Sequence, residues 1–272
     1  MGSADVSHAA TSGDGAIMLS RPTPWIAGIL IDRPAKRNAF TPAMLDALAS
    51  AYAAADRDPD VRVLLLHASG DHFTGGLDLA AMTDATRIGE PLFPGAAIDP
   101  VGLFAPRTAK PVVIAIEGVC LTLGVELILG ADVAICSTTA RFGQVEVQRS
   151  IMAYAGATIR MVERFGWGNA MLHLLTGDLF DSSEALRLGL VQQVVAPGEA
   201  YAAALEIART IASAAPLAVQ ATIANAGLSL REGQAAAIAD LLPRARFLAA
   251  SEDSAEGVDA FRNKRAPSYT GR

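Results

Sequence analysis

The sequence predicts an α/β core followed by a helical C-terminal module. Three observations carry this reading. Apolar strand-like runs alternate with helical patterns through the earlier part of the chain, helical patches take over towards its end, and the composition suits a large buried core. Of the 272 residues, 51% are hydrophobic and only 18% charged, against the roughly 25% charged that is usual for soluble domains. Intrinsic disorder, which needs low hydrophobicity and high charge, is excluded. Lys and Arg number 22 against 28 Asp and Glu, a net charge of -6, which argues against a broad electrostatic grip on nucleic acid. The surplus of apolar over charged residues also suits a surface partly hidden in an oligomer.

Residues 1–15 are small and polar, with neither the basic start nor the apolar stretch of a signal peptide, and read as a flexible head. Ala16–Ser20 and Trp25–Asp32 read as short strands separated by the turn-forming Arg21-Pro22-Thr23-Pro24. Thr41 is placed as an N-cap with Pro42 at the first helical position, and Met44, Leu45, Leu48 and Tyr52 recur at helical spacing through Ala43–Asp56. Asp58-Pro59-Asp60 turns the chain into Val61–Ala68, a nearly all-apolar strand of the parallel, covered kind. The glycine-bearing loop Ser69–Gly76 leads to a short helix near Leu77–Met82. The Gly- and Pro-rich stretch Thr83–Pro100 reads as a mobile active-site flank.

Pro111–Ile116 is another buried strand, followed by a loop, Gly118–Thr122, an apolar helix, Leu123–Gly130, and a further strand, Asp132–Ser137. From Gly156 onward helices dominate, apart from a strand in Leu190–Val195. Asp181 and Glu184 have the spacing of a capping box for Ala185–Leu188. Four helical patches, broken near Pro216, Leu230 and Ser251, fill Gly198–Arg265. The chain thus divides into a head (1–15), an α/β core (16–198) and a helical module (199–272). Thr210–Leu230 is free of charge, but Pro216, Gln220, Thr222, Asn225 and Ser229 favour a packed helix pair over a membrane span. Cys120 and Cys136 lack the spacing of a zinc site or a CxxC pair and read as buried free thiols of a reducing compartment. The expected location is the cytoplasm.

Glu126 sits in LGVELILG, where a carboxylate is costly to ionise unless it is paired or hydrogen-bonded. By itself it reads more often as a structural ion pair or a helix-edge residue than as a catalytic group. Glu146, in RFGQVEVQ, reads alone as an ordinary surface glutamate. Two carboxylates converging on one pocket can act as general base and general acid on a shared water, although sequence spacing does not establish convergence. Gly75-Gly76 before Leu77-Asp78, and Gly124 after Leu123, mark places where backbone can approach a ligand closely, each at a short predicted helix with free N–H groups. Two such groups aimed at one carbonyl oxygen would form an oxyanion hole; in isolation, such glycines more often serve turns. No dinucleotide fingerprint, phosphate loop or G-x-S-x-G elbow is present. His8, His67, His72 and His173, with Asp71, lack the recurrent spacings of a metal site, and a Ser-His-Asp hydrolase is equally weak.

Read together, these segments resemble the enoyl-CoA hydratase/isomerase (crotonase) superfamily over nearly the whole chain. Arg33-Pro34-Ala35-Lys36-Arg37-Asn38-Ala39-Phe40 looks like the family's RPxxxNAL stretch, and His72–Leu79 (HFTGGLDL) resembles its F-x-x-G-x-D-[LI] loop. GVCLTLGVEL (Gly118–Leu127) resembles GxxxGGGxEL, and RFGQVE (Arg141–Glu146) resembles FGxPE. Thr176-Gly177, Glu184-Ala185 and Gly189-Leu190-Val191 resemble the downstream TG…EA…GLV signature. The sequence departs from the pattern at Thr122-Leu123-Gly124, where the family has a glycine run, at Val145, where it has proline, and through Arg149–Ile159.

The resemblance implies a crotonase-like (ClpP/crotonase) spiral of ββα units, with a helical C-terminal module that builds homotrimers, commonly paired into hexamers. It implies Glu126 and Glu146 as the catalytic glutamates and the backbone N–H groups of Leu77 and Leu123 as the oxyanion donors. The expected reaction is hydration of an enoyl-CoA; alternatives are an isomerase or other crotonase-type lyase, or a non-catalytic acyl-CoA-binding homologue. Coenzyme A comes with the substrate, so no separate cofactor is expected, and neither are a metal, nucleic acid or membrane. Its phosphates need local cations on an acidic protein, for which Arg33, Lys36 and Arg37 are the candidates. The backbone at Gly75, Gly76, Asp78 and Gly124 completes the expected binding set.

Overall fold

Runs of Ile, Leu and Val become the strands of one large sheet in the computed structural model, which describes residues 7–12, 15–82 and 90–272. Its strands are β1 (Ser7–Ser12), β2 (Gly15–Thr23), β3 (Trp25–Asp32), β4 (Val61–Ala68), β5 (Val112–Ile116), β7 (Val133–Ser137) and β10 (Gln193–Val195), in the order β1-β2-β3-β4-β5-β7-β10. The first three run antiparallel; from β3 to β10 every pairing is parallel. β5 is buried at every position, as expected of a parallel strand covered on both faces. α1 (Pro42–Arg57) packs on β2 and β4 through Met44, Leu45, Leu48 and Tyr52, and the Thr41 hydroxyl caps it by accepting from the Met44 N–H at 3.3 Å.

Three readings change here. Ser7–Ser12, taken as part of a loose head, pairs with β2; the rest of that head, residues 1–6 and 13–14, lies outside the described residues. Arg21 to Thr23 stay within β2, with an irregularity in pairing between Ser20 and Thr23, so the expected four-residue turn contracts to the reversal at Trp25 (φ 67°). Leu77–Met82 forms a turn rather than a helix, because the Asp78 carboxylate and carbonyl take up the N–H groups of Ala80, Ala81 and Met82. Of the flank Thr83–Pro100, residues 83–89 lie outside the described residues.

A second, small sheet holds β6 (Val119–Leu121), β8 (Arg141–Gly143) and β9 (Phe180–Asp181), with β6 parallel to β8 and β9 antiparallel to it. By sequence, Gly118–Thr122 is expected as a loop and Arg141–Gly143 carries no strand signal, since runs this short show no period. β6 leads directly into α2 (Leu123–Gly130), and α3 (Ala157–Phe165), α4 (Trp167–Thr176) and α5 (Ser182–Arg187) follow. Asp181 caps α5 by accepting from the Glu184 N–H at 2.9 Å. Glu184 pairs with Arg187 through two 2.6 Å bonds, so only half of a capping box forms.

The chain divides into two compact units. The first runs to Thr108 and from Val112 to Ala208; the second holds Ala109–Pro111 and Arg209–Arg272. The division falls inside α6 (Ala200–Ser213), later than Gly198. In the second unit α7 (Pro216–Glu232) packs on α8 (Gln234–Ala249), and α9 (Glu252–Arg262) is capped by Ser251. Buried Asp253 accepts the N–H groups of Thr270 and Gly271, tying down the last residues. The uncharged stretch Thr210–Leu230 is split between α6 and α7, and no single helix among the described residues is long and apolar enough to cross a membrane.

Candidate active site

Three backbone segments meet on β6. On one side, Thr74 bridges Cys120, its N–H donating to Val119 O and its carbonyl accepting from the Leu121 N–H, both at 3.0 Å. On the other, Leu121 is in register with Gly143 of β8, and the Thr122 N–H donates to Gly143 O at 2.9 Å. The Thr74 loop is fixed again by Phe40, whose N–H donates to Gly76 O and whose carbonyl accepts from the Asp78 N–H. Asn38, fully buried, closes the knot: its amide donates to Ser69 O and His72 O, its Oδ1 accepts from the Arg33 N–H, and its carbonyl accepts from the Thr74 hydroxyl.

A cleft of about 160 Å³ opens where these segments end, lined by Gly75, Leu77, Thr122, Leu123, Glu126 and Glu146, with Leu92, Arg149, Met152 and Tyr154 among the rest. Among the described residues, neither the Leu77 N–H nor the Leu123 N–H donates to a protein acceptor. Leu123 opens α2, where the first N–H groups have no partner within the helix. Leu77 presents its N–H from an extended bridge to Phe40 and not from a helix. Gly76 has φ +94°, and a Cβ there would overlap the Thr122 side chain, so only glycine fits.

Glu126, in the first turn of α2, is 3% exposed. Its Oε1 accepts from the Ala155 N–H at 2.8 Å and the Ala157 N–H at 3.2 Å. Burial outweighs these bonds and pushes its pKa up to about 7; the Ala157 bond opposes this and the charge of Glu146 adds to it. Glu146 opens the 3-10 turn that follows β8, and burial raises it to about 6 against its own backbone N–H and the charge of Arg149. The amide of buried Gln144 faces this carboxylate; with its nitrogen inward it donates to both oxygens, at 2.9 and 3.1 Å. The Tyr154 phenol is raised by burial and by the charges of both glutamates, which marks it as the neighbour of the pair. The charge of Glu146 raises Glu126, so the two carboxyls interact, and a pair of this kind can serve as general acid and general base.

The structure thus brings Gly75, Leu77, Leu123, Glu126 and Glu146 to one cleft. Arg33 does not join the exposed cations: its side chain is 4% exposed and pairs with Asp78 at 2.8 Å, while Nη1 also donates to Ala39 O. Asp78 is held below the usual carboxylate range chiefly by that bond, and its carboxylate also accepts from the N–H groups of Ala80 and Ala81. Lys36 and Arg37 are exposed beside the cleft, where the Arg37 carbonyl accepts from the Gly75 N–H. Gly124 lets α2 close on Thr74 and Cys120; a Cβ there would meet Thr74 Cγ2 at 2.6 Å. Gln144, Tyr154 and the N–H groups of Ala155 and Ala157 went unread in the sequence. Only Gln144 carried a signal, as an uncharged amide between a buried strand and a glutamate. Among the described residues, no group of three or more His, Cys, Asp or Glu is gathered as a metal ion would need.

Known proteins match nearly the whole chain. Residues 24–272 match the family model described as enoyl-CoA hydratase/isomerase. The chain is 34% identical to the enoyl-CoA hydratase EchA19 of Mycobacterium tuberculosis, over 96% of this chain and 98% of that protein. It is 33% identical to the 2,3-dehydroadipyl-CoA hydratase of Escherichia coli, over 90% and 94%. Among solved structures, a probable enoyl-CoA hydratase/isomerase of Mycobacterium abscessus superposes with a TM-score of 0.90 at 45% identity, over 96% of this chain and 99% of that one. Fold, cleft and sequence therefore agree: the chain belongs to the enoyl-CoA hydratase/isomerase family.

Proposed function

We propose that the chain is an enoyl-CoA hydratase that adds water across the 2,3 double bond of an enoyl-CoA thioester. The observation that carries this reading is the pairing of two raised carboxyls with two unsatisfied N–H groups in one cleft. The thioester oxygen lies between the N–H groups of Leu77 and Leu123, which stabilise the enolate as charge moves onto it. Water held between Glu126 and Glu146 adds to the β-carbon; one carboxylate takes its proton, and a proton from the pair is delivered to the α-carbon. An isomerase needs one carboxyl to move one proton, so a retained pair favours hydration.

Lys36 and Arg37 meet the phosphates of coenzyme A, which arrives as part of the substrate, and no separate cofactor is used. Exposed Trp167, Leu172 and Leu175 on α4, and Leu230, Ile238, Leu242 and Phe261 in the second unit, support burial in a homotrimer or hexamer. The work belongs to acyl-CoA, and so to lipid, metabolism in the cytoplasm. The test is loss of the enoyl absorbance of crotonyl-CoA and a panel of longer and substituted enoyl-CoAs. Turnover is expected with wild type and a fall of about 10²- to 10⁴-fold with Glu146→Gln. Binding of acyl-CoA without turnover of any enoyl thioester would overturn the reading.

A further inference from the structure

Thr122 breaks two rules at once. Its backbone lies at φ 49°, ψ -114°, in a region that β-branched residues adopt only at a cost and that is typically occupied at functional sites. It also stands at the N-cap of α2, where a threonine hydroxyl ordinarily accepts a backbone N–H of the first turn, and it makes no such bond. Other caps of this chain do: Thr41 accepts from Met44, Asp181 from Glu184 and Ser251 from Ser254. Thr122 Oγ1 forms no hydrogen bond with another described residue. Instead its side chain covers the α-carbon of Gly76, in the space a Cβ there would need, and lines the cleft beside Glu126 and Glu146.

Covalent geometry then fixes what surrounds the hydroxyl. The Leu123 N–H belongs to the peptide that follows Thr122, and the Leu77 N–H to the peptide that follows Gly76. We propose that the Thr122 hydroxyl is a third hydrogen-bond donor of the oxyanion pocket, directed at the thioester oxygen of bound enoyl-CoA as the enolate forms. The proposal rests on the hydratase reading and adds a substrate-contacting side chain to it. The proton stays on Oγ1 throughout, so no bond to Thr122 forms or breaks.

The experiment compares wild type, Thr122→Val and Thr122→Ser for kcat and KM on crotonyl-CoA, with calorimetric affinity for saturated butyryl-CoA and a melting temperature for each. Valine keeps the branched shape and loses the hydroxyl. One lost oxyanion donor costs other enzymes about 10²- to 10³-fold, and with two N–H groups remaining the expected fall in kcat is about 10- to 100-fold. Butyryl-CoA affinity is expected to stay within about threefold, and Thr122→Ser to recover kcat to within about threefold of wild type. Should the valine variant melt early, Thr122→Ala carries the same comparison. Wild-type kcat in the valine variant overturns the proposal, as does a parallel loss of butyryl-CoA affinity, which would make the side chain a shaper of the pocket. A wild-type protein that turns over no enoyl thioester overturns the hydratase reading itself, and does so before any variant is compared.

Discussion

Glu126→Gln is expected to stabilise the protein while stopping it from working. The carboxyl is 3% exposed, and its folded value of about 7 stands against 4.5 for a free side chain. A carboxyl raised on folding binds its proton more tightly in the native than in the unfolded chain. Its burden is therefore absent below about pH 4.5, grows as pH rises, and levels off above about pH 7. At about 1.4 kcal/mol per unit the full burden is roughly 3 kcal/mol by about pH 8, and roughly 1 kcal/mol at about pH 5. Glutamine carries no charge to desolvate, and its amide oxygen can still accept from Ala155 and Ala157. Thermal melts of wild type and variant across this range should thus show a gap that widens with pH, reaching roughly 4–8 °C at the alkaline end. Turnover should fall by about 10²- to 10⁴-fold. A gap that stays flat with pH, or a variant that melts below wild type at about pH 8, would refute burial as the cause of the raised carboxyl.

Three further outcomes are expected. Gly76→Ala should destabilise the fold by about 1–3 kcal/mol, because the backbone is at positive φ and the new methyl strikes Thr122; Thr122→Gly in the same chain should recover part of the loss, and no recovery would dismiss the contact. Arg33→Met leaves Asp78 without its partner and should cost about 2–4 kcal/mol by denaturant melting. Adding Asp78→Asn should return some of this, whereas a neutral single variant would make the pair irrelevant. Gln144→Leu removes the donor facing the Glu146 carboxylate, so the acidic limb of kcat/KM against pH should move upward by up to about one unit; an unmoved limb would mean that the amide does not hold that carboxylate.

Long apolar runs made the large sheet legible: Trp25–Asp32 and Val61–Ala68 were read with the boundaries they have. Thr41 and Pro42 announced α1 because a cap is a local chemical fact. The small sheet was hidden because Val119–Leu121 and Arg141–Gly143 are three residues each, too short for alternation to declare itself. The turn at Ala80–Met82 resembles a helix start in sequence, and the difference lies in an Asp78 carboxylate that closes locally. At the site, Glu126 stood out because a charge among aliphatic residues is expensive, but Glu146 looked ordinary alone. Arg33 looked like its neighbours Lys36 and Arg37, and only tertiary pairing with a residue 45 positions away separates it from them. Backbone donors such as Ala155 leave no trace in side-chain identity.

The parallel pairing of β6 with β8 has a consequence for how this site can change. Glu126 lies in α2, five residues beyond Leu121, and Glu146 three residues beyond Gly143, so the pairing of those two strand ends, one sheet spacing of about 4.8 Å, anchors the gap between the carboxyls. The intervening chain, which leaves to form β7 and returns, does not set that gap. Added or lost residues near Thr138–Thr139 should leave the two carboxyls where they are. Losing one residue from either three-residue strand would move a carboxyl by about 3.3 Å and turn its strand over. The small sheet is a ruler with a single graduation: the surrounding loops are free to drift, while the span between the two carboxyls stays fixed.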